Sequence, residues 1–93
     1  MLVSNVNGTA GLACKCGSWL DHWRKYSRQR YEYCGEGSCS ARSEVGAHVQ
    51  KNTAFDRAWY IVPLCTRHNA RAASMTLKEG LVLVPADVAS TCG

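Results

Sequence analysis

The chain has a single phenylalanine, two prolines and no long apolar run. The last absence excludes a transmembrane helix, which needs about 20 consecutive apolar residues, so no membrane association is expected. Residues 1–13 hold no Lys or Arg, and Asn5, Asn7, Gly8 and Thr9 interrupt their apolar character. A secretory leader needs a basic start and then an apolar core, so the expected location is the cytoplasm. Acidic residues are also few: 7 Asp and Glu stand against 11 Lys and Arg, a formal charge of +4. That balance permits contact with nucleic acid without demanding it, because a solvated basic surface has the same composition. Length is short as well. A 93-residue chain forms one domain and buries only about two-thirds of its unfolded surface.

Cysteine is what the chain has in plenty, six in all. Small domains offset a marginal core with disulfides or with a metal, and six thiols fit either remedy. The spacing favours metal. Trp59-Tyr-Ile-Val-Pro-Leu reads as a buried strand of β-branched and aromatic residues, which Pro63 should end by removing a ladder donor. Cys65 and His68 follow, three residues apart. The first turn of a helix puts such a pair on one face. A thiolate and an imidazole together supply half of a tetrahedral zinc site.

Cys34-Gly-Glu-Gly-Ser-Cys39 offers the other half. Its glycines let backbone amides turn toward thiolate sulfurs. Cys34, Cys39, Cys65 and His68 are therefore the candidate Zn²⁺ ligands, and Cys14, Cys16 or His48 could replace one of them. Cys14 and Cys16 have a spacing tighter than usual for a zinc pair. They are additional candidate ligands, for this site or a second one, or else simple thiols. Three thiolates and one Zn²⁺ would leave a charge of about +3. Cys92 is either a free end or folds back on the early thiols.

The remaining segments give a coarse architecture. Residues 1–13 read as a flexible N-terminal arm, and residues 14–93 as a single zinc-binding domain. Ser18 is a plausible N-cap for a helix to about Tyr26, with Trp19, Leu20, Trp23 and Tyr26 on one apolar stripe. Asp21 and His22 fall off that stripe, so both are expected at the surface. Arg24, Lys25, Arg28 and Arg30 alternate with Tyr26, Tyr31 and Tyr33. Cations for phosphate with rings for stacking suit nucleic acid; cations are equally favourable at a helix C-terminus. Val45-Gly-Ala-His-Val reads as a strand, Ala70–Ala73 as the continuation of the helix after Cys65, and Leu81–Val84 as a strand closed by Pro85. The sum is an α+β domain with a ββα unit, zinc at one end and an additional N-terminal helix.

The order "CGEGSC", "GAHV", "IVPLCTRHN" resembles the treble-clef zinc domains of the HNH endonuclease superfamily, over about residues 34–72. The phrases "CKCGSW", "GAHV" and "WYIVPLCTRHN" also resemble those of a group of small bacterial proteins. The HNH resemblance implies that Cys34, Cys39, Cys65 and His68 are structural zinc ligands. It also implies that His48 occupies the place of the catalytic histidine, the general base on water. The chain departs from the family where an active site needs a carboxylate or second histidine before that base, since Ala47 stands there. It departs again past the last zinc ligand, where Ala70, Arg71, Ala72 and Ala73 replace a metal-binding histidine. Mg²⁺ prefers oxygen ligands, and Asp56 is the one carboxylate nearby. The expectation is a non-catalytic, monomeric zinc module that binds nucleic acid or a protein partner. The alternative is a divalent-metal-dependent nuclease using His48.

Overall fold

The computed structural model describes residues 1–6, 18–53, 56–71 and 73–86. Among the described residues, five strands and two helices follow in chain order: β1 (Leu2–Asn5), α1 (Trp19–Ser27), β2 (Val45–Lys51), β3 (Tyr60–Leu64), α2 (Thr66–Asn69), β4 (Met75–Thr76) and β5 (Val84–Pro85). They make an α+β domain. The strands form one sheet in the order β4-β1-β2-β3-β5, antiparallel at every pairing.

The β2–β3 pair is its centre. Side chains alternate across a strand, and here both faces are covered. Ala47, Val49, Val62 and Leu64 point to one face, where they pack with Val3, Met75, Leu77 and the thiols of Cys34, Cys39 and Cys65. Ile61 and Val84 point to the other, where Trp23 of α1 closes over them with Trp19 and Tyr26 at its edge. Ser18 caps α1 by accepting from the Asp21 N–H at 3.1 Å. The helix lies close to the sheet because Gly46 has no side chain. A Cβ there would come within 2.3 Å of the Trp19 backbone.

Several expectations change. The start of the expected N-terminal arm is not free, since Leu2–Asn5 form β1, an interior strand between β2 and β4, with Val3 fully buried; residues 7–13 of it lie outside the described residues. Pro63 does not break β3, which pairs with β2 through Gly46↔Pro63 and on to Val45↔Leu64. The reason is directional. The Pro63 carbonyl accepts from Gly35 N–H at 2.7 Å, and the N–H and C=O of one strand residue point the same way. The donor proline lacks is therefore on the side away from β2. Trp59, read as the start of the buried run, is 41 % exposed. His22 is not at the surface but fully buried, with Nε2 2.9 Å from the Pro85 carbonyl.

The strand expected over Leu81–Val84 is confined to Val84–Pro85. Side chains explain the difference. Gln29 Oε1 accepts from Val82 N–H at 3.1 Å, and Trp23 Nε1 donates to the Val82 carbonyl at 2.7 Å. Val82's backbone needs are thus met without a strand partner.

The helix after Cys65 ends at Asn69, and Ala70 is its C-cap, so the run Ala70–Ala73 does not extend it. Asn5 lies across this end from β1. Its amide donates to the carbonyls of His68 and Arg71, both at 2.9 Å. An amide serving two carbonyls at a helix end contributes about 1 kcal/mol per bond. Asn5→Ala should therefore lower the unfolding free energy by roughly 1–2 kcal/mol in denaturant titration.

Candidate metal centre

Three segments meet on the α1-free face of the sheet. The first is the knuckle at Cys34–Cys39. Cys34 N–H donates to the Ala41 carbonyl and Cys39 N–H to the Glu36 carbonyl, which folds the loop back on itself. Gly35 N–H on Pro63 and Gly37 N–H on the Thr76 carbonyl fasten it to its neighbours. Gly35 also has to be small, since a Cβ would lie 2.9 Å from the Pro63 carbonyl oxygen. The second segment is the end of β3, which delivers Cys65 as the N-cap of α2. Thr66 N–H at that helix start donates to Glu44 Oε1 at 3.2 Å. The third is α2 itself, whose single turn brings His68 beside Cys65.

Cys34, Cys39, Cys65 and His68 come together, all four buried, with one ligand atom from each within 4.8 Å of the others. His68 Nδ1 lies 3.6 Å from Cys34 Sγ and 3.2 Å from Cys65 Sγ, and Cys39 Sγ lies 4.0 Å from Cys65 Sγ. A disulfide needs sulfurs at about 2.05 Å, and these three cysteines are free. The four atoms together could bind a metal ion. For a tetrahedral ion with Zn–S of about 2.3 Å and Zn–N of about 2.0–2.1 Å, the edges should be about 3.8 Å between sulfurs and about 3.5 Å from sulfur to nitrogen. The distances found straddle those values, so the donor set fits such an ion in both size and chemistry.

The thiols respond to burial and to the backbone. Burial pushes the Cys34 thiol up to about 11, because a thiolate is poorly solvated there. The Ala41 backbone amide holds the Cys39 thiol below its usual range. A bound dication reverses the logic for Cys34, since metal binding displaces the thiol protons.

A residue not singled out in the sequence closes the knuckle. Lys78 Nζ donates to the carbonyls of Cys34 at 2.8 Å and Cys39 at 2.6 Å, and to the Tyr31 hydroxyl. The ammonium's three donors thus serve both ends of the cysteine loop. Only its position just past Leu77, the buried residue bridged to Glu36, hints at this role, and sequence spacing does not carry that information.

The other candidate residues lie elsewhere. His48 is next to Ala47 and Val49 on β2, so its side chain points away from the thiols. Its ring packs edge-on against Trp19 at 4.5 Å and Trp59 at 6.0 Å between centroids. It is buried, and its Nε2 has no hydrogen-bond partner. Burial first, and then His22, hold its imidazole below the ordinary range. Among the described residues, the metal-capable group of three or more is the cysteine–histidine cluster, and His48 is outside it. Asp56 is engaged with the Tyr60 hydroxyl at 2.6 Å and Lys51 at 3.4 Å. Cys14, Cys16 and Cys92 fall outside the described residues.

Arg24, Lys25, Arg28 and Arg30 do come together. With Gln29 and Glu32 they line an open groove of about 710 Å³ at the C-terminal end of α1. The tyrosines expected beside them divide. Tyr26 and Tyr31 pack at the edge of the α1 core, whereas Tyr33 is 43 % exposed, with Arg42 over its ring.

No helix among the described residues is long and apolar enough to cross a membrane. Comparison of the chain with family models, with curated proteins and with solved structures finds no match in any of the three.

Proposed function

We propose that this chain is a structural zinc module that presents a basic groove to nucleic acid. The observation that carries the zinc reading is the mutual approach of Cys34, Cys39, Cys65 and His68 within 4.8 Å, all buried. Three thiolates and an imidazole suit Zn²⁺ in both softness and number. Four protein ligands leave no position for a substrate, so the ion's contribution is to the fold. The order of a cysteine knuckle, a β2–β3 hairpin and a helix opening on two ligands supports a treble-clef arrangement. Cobalt substitution tests the ligand set. Co²⁺ bound by three thiolates and one imidazole in a tetrahedron gives intense visible d–d bands and a sulfur-to-metal charge-transfer band. A pale octahedral spectrum would overturn the assignment.

The groove supports the nucleic-acid part of the reading. Arg28, one of the residues that line it, is the C-cap of α1, with φ of 59°. That left-handed conformation suits glycine and is strained for arginine. Gln29, also in the lining, donates to the Gly80 carbonyl and accepts from Val82 N–H. Arg28→Gly should raise stability by roughly 0.5–1 kcal/mol while weakening binding to an oligonucleotide. Removing one phosphate-contacting cation should also lower the slope of log affinity against log salt by about 1. Fluorescence anisotropy with labelled single- and double-stranded oligonucleotides measures both. Binding that is absent at low salt, or unchanged in Arg28→Gly and Arg30→Ala together, would remove the groove from the account.

His48 as the general base of a nuclease has weaker support. A neutral, buried imidazole with an unused nitrogen can accept a proton. Yet it faces Trp19 and Trp59, and Ala47 beside it supplies no ligand for a catalytic ion.

A further inference from the structure

The knuckle carries a buried carboxylate that the ligand set does not use. Glu36 lies between Cys34 and Cys39 and is 7 % exposed. Carboxylates are rarely buried without a partner that needs their charge. Two sets of contacts fix this one. Ser38 holds Oε1 with its backbone N–H at 2.6 Å and its hydroxyl at 2.5 Å, and the same hydroxyl is 3.0 Å from Oε2. Oε2 then lies 3.6 Å from Nε2 of His68. The opposite nitrogen of that ring, Nδ1, is the one that faces the sulfurs of Cys34 and Cys65.

We propose that Glu36 is the positioning carboxylate of the metal centre, holding His68 in the tautomer with its proton on Nε2 and its lone pair on Nδ1 free for the ion. The inference rests on the zinc reading above. A neutral imidazole can ligate through one nitrogen only if the other carries the proton. A carboxylate facing Nε2 favours that arrangement and makes Nδ1 a better donor. At 3.6 Å the contact is electrostatic, longer than a hydrogen bond. Its effect is therefore expected through charge and ring orientation. Ser38 acts one step further out by fixing the carboxylate's rotamer. The exposed Arg67 and Arg71 line the same small opening as Glu36 and His68.

The test is zinc affinity by chelator competition for the full chain, Glu36→Gln and Ser38→Ala, with a fluorescent zinc chelator as competitor. Glu36→Gln keeps the size of the side chain and an acceptor for Ser38 but removes the charge. It should weaken zinc binding about 10- to 100-fold, and Ser38→Ala should weaken it less. The second readout is the solvent exchange of the His68 Nε2 proton in the zinc-loaded protein, followed by ¹⁵N-edited NMR. That exchange should quicken in Glu36→Gln, which a purely structural role would not cause. Two results would overturn the proposal. One is Glu36→Gln affinity within two-fold of the parent. The other is an affinity loss with an unchanged His68 proton and a matching loss of fold. Failure of the parent chain itself to bind zinc would instead refute the zinc reading.

Discussion

Replacing Cys65 with alanine is expected to unfold most of the metal face of the sheet. Cys65 joins β3 to α2, is one of the four residues that could bind a metal ion, and is 4 % exposed. Structural zinc sites contribute on the order of 10 kcal/mol at neutral pH, comparable with the whole stability of a small domain. Loss of one ligand of four should therefore remove at least about 4 kcal/mol, enough to unfold the metal face at 37 °C. The loss should be uneven. Amides that depend on the knuckle, such as those of Gly35, Gly37 and Cys39, should lose hydrogen-exchange protection entirely. Those of the β2–β3 ladder beneath α1 should keep some, because Trp23, Ile61 and Val84 pack there without the ion. Native-state hydrogen exchange of Cys65→Ala distinguishes the two regions. Uniform protection close to that of the parent would contradict the role given to the ion.

The second large effect belongs to Lys78. Its ammonium bonds the carbonyls of both cysteines that open and close the knuckle, so its charge sits on the backbone of two of the four candidate ligands. Zinc with three thiolates carries a net charge of −1, so a nearby ammonium stabilises the loaded site over the empty one. Lys78→Met keeps the aliphatic stem and removes the charge and donors. Two carbonyls then lose charge-assisted bonds worth about 1.5–3 kcal/mol each. The expected result is a loss of roughly 3–6 kcal/mol in the zinc-loaded protein, with faster release of zinc to a chelator. Lys78→Arg should recover only part, since a planar guanidinium cannot reproduce the compact geometry of three donors. Unfolding and zinc-transfer curves for Lys78→Met that overlay the parent's would show that the contact contributes little.

Local signals in the sequence were enough for the parts built from adjacent residues. The Ser18 cap and the stripe of Trp19, Leu20, Trp23 and Tyr26 describe α1 to within a residue or two. The strand around Ala47 and Val49 is visible in the chain, and so are the cysteine loop and the Cys65–His68 turn. What was hidden depends on distant partners. Leu2–Asn5 has four residues, two of them polar, and its strand character comes from pairing with Val49–Lys51 and Met75–Thr76. Val82 resembles a strand residue until Gln29 and Trp23 satisfy its backbone. Pro63 reads as a breaker because sequence does not say which side of a strand faces its partner. His22 reads as exposed from a helical wheel, yet β5 covers it, and a wheel carries no information about a strand sixty residues later. Lys78, Glu36 and Asn5 share this character. Each is an ordinary polar residue in the sequence and gains its role from the element folded against it.

The central claim is that an ion gripped by the knuckle and the β3–α2 turn holds this short chain folded. Native mass spectrometry before and after treatment with EDTA, with circular dichroism of the same samples, tests it most directly. The account predicts zinc bound through the cluster in the untreated protein, and loss of sheet and helix signal as it is withdrawn. Protein that carries no metal and keeps its full spectrum in EDTA, with Cys65 found in a disulfide, would contradict it.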